Sequence, residues 1–213
     1  METVTEINPK RHRLPVLPLR DMVLFPGVTA PIGAGRPGTL RAIEASLKNE
    51  DRLIFAVTQR ETSDAVQSDN LYMHGTIARI GQLQRGLGGM QLLLHGEHRA
   101  TVLQYHQGDG FIEAVVHEAA DQQPPDANDP AFLALYKEVR ERASELGQKS
   151  GLPDDVIQQV VESVTDAGRF ADLVAGYLEI PSKERMLLLE TPEVEVRLRR
   201  VLVHVQRQIQ LVN

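Results

Sequence analysis

A glycine-rich stretch at residues 33–38 has the spacing that would suit nucleotide chemistry. It reads Gly-Ala-Gly-Arg-Pro-Gly, matches G-x-G-x-x-G and precedes a helical pattern. In a dinucleotide site, such glycines let the backbone approach a pyrophosphate at the N-terminus of the helix. Pro26, Gly27 and Pro31 break the strand that should precede the motif, and hairpin patterns follow where a second crossover helix is needed. The surroundings therefore favour a turn that leads into a helix, and a nicotinamide-dependent enzyme remains an alternative.

The other residue types that could act in catalysis or bind a metal do not form a recognisable site. His95 and His98 are three positions apart in a strand pattern, so alternation places them on opposite faces. Residues 147–150 read Gly-Gln-Lys-Ser but lack the upstream glycine and the preceding strand of a phosphate-binding loop, so they indicate a helix C-terminus. The chain has no cysteine for a Cys–His pair. We therefore predict no catalytic residue, no cofactor and no metal in this segment.

Composition excludes several other classes of protein. Net charge is −6, and the aromatic residues are four Tyr and five Phe without Trp, which disfavours nucleic-acid binding through phosphate contacts or base stacking. No run of apolar residues is long enough to span a membrane, and prolines interrupt the region where a signal peptide would need its apolar core. With no cysteine, the chain fits a reducing cytoplasm.

The first half of the chain has the pattern of a small β-barrel. Residues 14–27 are apolar but contain three prolines, which predicts two short extended pieces joined at Arg20 and Asp21, the first at a sheet edge. A helix is predicted at residues 39–47. The predicted strands that follow the opening stretch cover residues 28–32, 52–59, 72–84, 90–95, 100–106 and 111–117. Their spacing predicts an antiparallel β-barrel with one early helix over residues 14–118, preceded by a flexible arm at residues 1–13.

The second half is helical in pattern. Residues 119–129 contain adjacent prolines and several acids, as expected of a linker. Residues 130–213 then predict an all-α helical bundle, in which Asp129 and Pro130 begin the first helix. The last helix keeps a near-heptad apolar rhythm up to the final residues. We therefore expect the chain to be the front piece of a longer one. The fold class is α+β.

Several short motifs resemble the N-terminal domain of Lon-type ATP-dependent proteases. Residues 17–21 read L-P-L-R-D and residues 25–27 read F-P-G, as in the opening of that domain. Further similar segments are residues 58–60 (T-Q-R), 69–78 (D-N-L-Y-M-H-G-T-I-A), 95–100 (H-G-E-H-R-A), 171–175 (A-D-L-V-A) and 183–190 (K-E-R-M-L-L-L-E). The chain departs from the family at residues 32–36, where I-G-A-G-R replaces the usual L-F-V-G-R, and at Gly38 and Thr39.

The resemblance implies a barrel of the PUA type, a helical bundle and a long terminal helix. It also implies a non-catalytic module that recruits unfolded or degron-bearing proteins and supports assembly of a homo-hexamer. ATP and Mg, and the Ser–Lys pair that cleaves peptide bonds, would belong to later domains of an ATP-dependent serine protease. A free-standing protein- or ligand-binding domain without a protease is the alternative, and RNA binding is suggested only by the barrel type.

Recruitment of unfolded chains requires an exposed, adaptable apolar surface. The candidate substrate-binding residues lie in the opening stretch and at a predicted hairpin tip, and they are Met22, Val23, Phe25, Pro26, Val28, Pro31, Leu87 and Met90. Burial in the barrel core is the alternative for most of them.

Overall fold

The computed structural model describes residues 10–212, which divide into two compact units at Ala120 and Asp121. This division falls within residues 119–129, the stretch predicted as a linker. Most of the predicted N-terminal arm, residues 1–9, lies outside the described residues. The first strand already begins at Arg11, so the end of the predicted arm belongs to the sheet.

The first unit, residues 10–120, contains one sheet and one α-helix. Its elements are β1 (Arg11–Leu19), β2 (Thr29–Ala34), α1 (Pro37–Leu47), β3 (Leu53–Thr58), a short 3-10 helix (Ser68–Asn70), β4 (His74–Gly86), β5 (Gly89–Gln107) and β6 (Ile112–Glu118). The six strands lie in the order β2-β5-β4-β3-β1-β6, and β5 also pairs with β6. The strands β5, β4, β3, β1 and β6 therefore form a closed circuit of pairings.

The long strand β5 takes part in two hairpins. Two strands were predicted here, at residues 90–95 and 100–106, but the structure has one strand of 19 residues. Register shifts interrupt its pairing with β4 near Ala78 and with β6 between Val102 and Gln104. Such bulges bend a strand without ending it, so β5 can follow two successive partners.

The prediction of an antiparallel barrel is wrong in one pairing, because β1 and β3 run parallel. Val16 pairs with Phe55 and Leu19 pairs with Thr58, and the connection between the two strands contains α1. A parallel pair needs a long crossover of this kind, which the early helix provides. The sheet is therefore mixed.

The predicted edge position of β1 is also wrong, since β1 lies between β3 and β6. Its first half, residues 11–15, pairs with β6, and its second half, residues 16–19, pairs with β3. Among the described residues, each half therefore has a strand neighbour on one side only, which lets the chain accommodate Pro15 and Pro18 despite their missing N–H groups.

The core of the first unit consists of two apolar clusters, and β1 contributes to both. Leu17 and Leu19 belong to one cluster, whereas Leu14 and Val16 belong to the other. Because successive side chains of a strand point to opposite faces, β1 is covered on both of its faces. This explains the nearly continuous apolar run in its sequence.

The second unit, residues 121–212, is helical. Its helices are α2 (Pro130–Lys149), α3 (Asp154–Ser163), α4 (Ala167–Tyr177), α5 (Ser182–Leu189) and α6 (Val194–Leu211). Asp129 and Asp166 cap the first turns of α2 and α4, where their carboxylates accept hydrogen bonds from the backbone N–H groups of Phe132 (3.2 Å) and Arg169 (2.9 Å). Within residues 10–212, no helix combines the length and the apolar character that crossing a membrane requires.

Candidate functional site

The structure buries part of the predicted substrate-binding surface. Val23 is 5% exposed and Phe25 is fully buried, and Pro26 is buried beside them. The hydroxyl of Thr58 donates to the carbonyl of Met22, and that of Thr76 donates to the carbonyl of Leu24, both at 2.6 Å. These bonds hold residues 22–26 against the sheet, and the side chains of residues 23–26 are buried as a result.

Met90 is also buried, which corrects its assignment to an exposed hairpin tip. It is 7% exposed and packs in the same core cluster as Leu92 and Leu94. The three residues alternate along β5, so they share one face of the strand. The prediction made Met90 the first residue of a strand at the hairpin tip, whereas β5 begins one residue earlier, at Gly89.

The remaining candidates have accessible surface. Leu87 is fully exposed in the turn between β4 and β5, and Pro31 is exposed on β2. Met22 and Val28 are partly buried and pack against the first core cluster. The apolar surface available to a partner is therefore smaller than predicted and includes these four residues.

The glycines at residues 33–35 allow close packing between β2 and the β4–β5 turn. A Cβ atom on Gly35 would lie 2.9 Å from the carbonyl oxygen of Gly88. Gly89 has φ +152°, and a Cβ atom there would lie 2.0 Å from the carbonyl oxygen of Ala34. Glycine is needed at these positions for contact between two backbone segments, and this contact explains the glycines without a pyrophosphate.

Two clefts flank the C-terminal end of β2. The first has a volume of about 520 Å³ and is lined by residues 33–35 and by the facing ends of β4 and β5, including Leu87. The second has a volume of about 460 Å³ and lies between the second half of β1, Met22 and residues 31–36. Both volumes fall within the range of ligand-binding sites. Pro31, Met22 and Leu87 thus lie beside concave surface.

The second cleft has a cationic end that sequence reasoning missed. Arg36 donates to Gln59 Oε1 (3.0 Å) and to the carbonyl oxygen of Pro18 (3.4 Å), while Arg20 donates to Asp64 Oδ1 (2.8 Å). Partial burial lowers the pKa of Arg36, and the nearby charge of Arg20 lowers it further. One feature of the sequence does point to this end of the cleft, since the short family-like motifs contain Arg20, Arg36 and Gln59.

The two histidines considered in the sequence have different neighbours in the structure. His95 Nδ1 lies 2.8 Å from the hydroxyl of Thr29, whereas His98 Nδ1 lies 3.8 Å from Glu118 Oε1. In the part of the chain that the structure describes, no three His, Asp or Glu side chains are placed to hold a metal. Lys149 ends α2, as expected of a helix C-terminus.

Comparison with known proteins identifies the class to which this fold and these motifs belong. The family described as the ATP-dependent protease La (Lon) substrate-binding domain matches residues 13–207. The chain belongs to this family, which confirms the resemblance seen in the short motifs.

Relatives and solved structures agree with this assignment. The chain is 45% identical to Lon protease 1 of Sorangium cellulosum over 207 residues, covering 96% of this chain and 26% of that protein. It is 36% identical to Lon protease 1 of Thermus thermophilus, covering 94% and 25%. The N-terminal domain of Mycobacterium avium complex Lon protease superposes with a TM-score of 0.73 at 26% identity, covering 92% of this chain and 98% of that one.

The Lon N-terminal domain protein from Xanthomonas campestris shares the fold, with a TM-score of 0.62 at 18% identity, covering 90% of this chain and 98% of that one. The chain spans about a quarter of the length of the curated relatives that it matches.

Proposed function

We propose that this chain is the non-catalytic N-terminal module of an ATP-dependent Lon protease, which recruits unfolded or damaged proteins through exposed apolar surface. The family match over residues 13–207 carries this proposal, because the family is defined as a substrate-binding domain. The closed circuit of strand pairings supports a PUA-like barrel in the first unit. The five helices of residues 121–212 support a helical bundle in the second.

Leu87 is the side chain best placed to contact an unfolded protein. It is fully exposed, lines the first cleft and stands between Gly86 and Gly88. Unfolded chains display apolar side chains that native surfaces hide, so a matching apolar contact selects them. Glycines around Leu87 let the turn adapt to different sequences, since they restrict the backbone least. Met22 and Pro31 line the second cleft, and Val28, just before β2, adds partly exposed apolar surface.

The remaining functions of a Lon protease would lie in other parts of the protein. Hydrolysis of ATP with Mg and peptide-bond cleavage by a Ser–Lys pair are assigned to the later domains, in a cytoplasmic homo-hexamer that this module helps to assemble. The chain spans only about a quarter of its relatives, which leaves ample length for those domains.

Replacing Leu87 with Asp tests the recruiting surface. We expect binding of fluorescently labelled denatured casein to weaken about tenfold, because burial of a leucine contributes about 1.5–3 kcal/mol and 1.4 kcal/mol corresponds to tenfold. Fluorescence anisotropy with the 213-residue chain gives the affinity, and circular dichroism checks the fold. Met90 is unsuitable for this test, since an aspartate there would place a charge in the core.

Leu103→Asp is the matched control. Leu103 is a 49% exposed leucine on β5 of the same unit and lines neither cleft. Casein binding should be unchanged in this variant. Equal affinities of Leu87→Asp and the unmodified chain, with the fold intact, would show that Leu87 is not part of the recruiting surface.

A further inference from the structure

We propose that the open edge of β2 binds an extended segment of the recruited protein as an added β-strand, with an acidic group of that segment at Arg20 and Arg36. This inference rests on the proposed function for the identity of the bound chain. It goes further in stating the backbone geometry and the charge that the site recognises.

The strand β2 has a partner on one side only. It stands at the end of the strand order and, among the described residues, pairs with β5 alone. A strand edge of this kind carries N–H and C=O groups that another extended chain can pair with. The second cleft lies along β2 on the side of β1, so this edge faces concave surface.

The hydrogen bonds near Val28 show which backbone groups point outward. Gly96 N–H donates to the carbonyl of Val28 at 2.9 Å, so Val28 faces β5. The direction of the backbone N–H and C=O groups alternates along a strand, so those of Ala30 and Ile32 also point toward β5. The backbone groups of Thr29, Pro31 and Gly33 therefore point outward. Pro31 agrees with this assignment, because a residue without an N–H is tolerated on the outer side of an edge strand.

The facing side of the cleft is built from β1. Gln59 N–H donates to the carbonyl of Leu19 at 2.9 Å on the β3 side, so the carbonyl of Pro18 points the other way. Arg36 donates to that Pro18 carbonyl from across the cleft. Pro18, Met22 and Pro31 line the cleft and keep accessible surface, which gives a bound strand apolar contacts for its alternate side chains.

The charge of the cleft selects an acidic group on the bound segment. Both charged residues that line it, Arg20 and Arg36, are cationic. Arg20 is paired with Asp64, whose side chain is 96% exposed, and such a surface pair contributes little and exchanges readily. A carboxylate of a bound segment can therefore take the place of Asp64 on Arg20, while the apolar residues of that segment contact Pro18, Met22 and Pro31.

Backbone methylation of a peptide probe tests the added strand. The probe is a short fluorescein-labelled peptide in which valine and threonine alternate and a glutamate ends the sequence. In one derivative, alternate residues carry N-methyl groups, and in the other derivative the intervening residues carry them. Because only one set of N–H groups can face β2, we expect one derivative to lose at least about tenfold in affinity for the 213-residue chain and the other to lose little.

Variants of the chain test the same geometry from the protein side. Pro31→Val adds an outward N–H and should strengthen binding of the probe about two- to tenfold, the range expected for one added hydrogen bond. Pro37→Ala, outside the cleft, should not change the affinity. Arg20→Gln should weaken binding of the glutamate probe and leave binding of a probe that ends in glutamine unchanged.

Chemical-shift mapping of backbone amides identifies the binding edge directly. The amides of Thr29 and Gly33 should shift on addition of the probe more than those of Ala30 and Ile32. Equal effects of the two methylated derivatives, shifts confined to other strands, or pairing of two copies through β2 in sedimentation experiments would each overturn the inference.

These outcomes are distinct from failure of the proposed function. Binding of denatured casein that depends on Leu87 but is indifferent to Pro31→Val would leave the proposed function standing and refute the added strand. Absence of casein binding, with the methylation pattern as expected, would refute recruitment and retain the edge as a peptide site.

Discussion

The guanidinium group of Arg197 is fully buried and holds several segments of the second unit together. It lies 2.9 Å from a carboxylate oxygen of Asp121 and 3.3 Å from one of Asp172. It also donates to the backbone carbonyls of Thr191 (2.8 Å) and Gly168 (3.1 Å). A buried charge is tolerated when it is paired and hydrogen-bonded in this way. Asp121 belongs to the stretch predicted as a linker, so the start of that stretch is attached to α4 and α6.

Replacing Arg197 with Met should destabilise the chain strongly. The substitution leaves the buried carboxylate of Asp172 without its cation, and breaking a buried pair in this way costs about 3–5 kcal/mol. Arg199→Met on the same helix is the matched control, because Arg199 and Glu195 form an exposed pair worth less than about 1 kcal/mol. Urea denaturation followed by circular dichroism measures both free energies of unfolding. Similar values for the two variants would contradict a structural role of the Arg197 cluster.

At the scale of the elements, the contact between β2 and the β4–β5 turn depends on the absence of side chains. Gly89 lies against the carbonyl of Ala34, and Gly35 lies against that of Gly88. Ala34 and Gly35 line both clefts, so this contact shapes the candidate site as well as the sheet. Packing against the turn therefore accounts for Gly35, one of the three glycines in the G-x-G-x-x-G spacing.

Gly89→Ala should destabilise the first unit by more than about 1 kcal/mol, because the added Cβ would overlap the Ala34 carbonyl and the φ angle is unfavourable for alanine. Gly86→Ala is the control, since no atom lies within 4 Å of a Cβ placed there. Thermal unfolding compares the two variants. An unaltered midpoint for Gly89→Ala would show that the turn can move away from β2 at no cost.

At the scale of the whole molecule, the net charge disfavours the binding of nucleic acid. The net charge is −6, and the cations that line the second cleft are Arg20 and Arg36. Affinity for RNA depends on many Lys and Arg contacts to phosphate and falls with added salt. Acidic overall charge therefore opposes RNA even though the arginines attract a single carboxylate.

We expect titration with single-stranded RNA to give no binding at low salt, where phosphate contacts are strongest. The same preparation should still bind denatured casein, which shows that the protein is active. Fluorescence anisotropy measures both. Salt-sensitive binding of RNA would instead favour a nucleic-acid function for the first unit.

Local patterns in the sequence predicted much of the fold. Strand patterns located both hairpins, and Asp129 with Pro130 located the start of α2. Short motifs also predicted membership of the Lon substrate-binding family, which the comparison confirms. These features depend on residues that are close together in the chain, so their physical cause is visible in the sequence.

Tertiary structure alone decided the parallel pairing of β1 with β3, the continuity of β5 and the exposure of the candidate site. Side chains alternate between the two faces of a strand, but this alternation does not show which face other elements will cover. Sequence left both exposure and burial open for Phe25 and Met90. Met90 packs in the first core cluster, and Phe25 is buried next to Leu24, whose carbonyl accepts a hydrogen bond from Thr76. Leu87 and Pro31 remained exposed because Leu87 lies in a turn and Pro31 lies on β2, which pairs with β5 alone among residues 10–212.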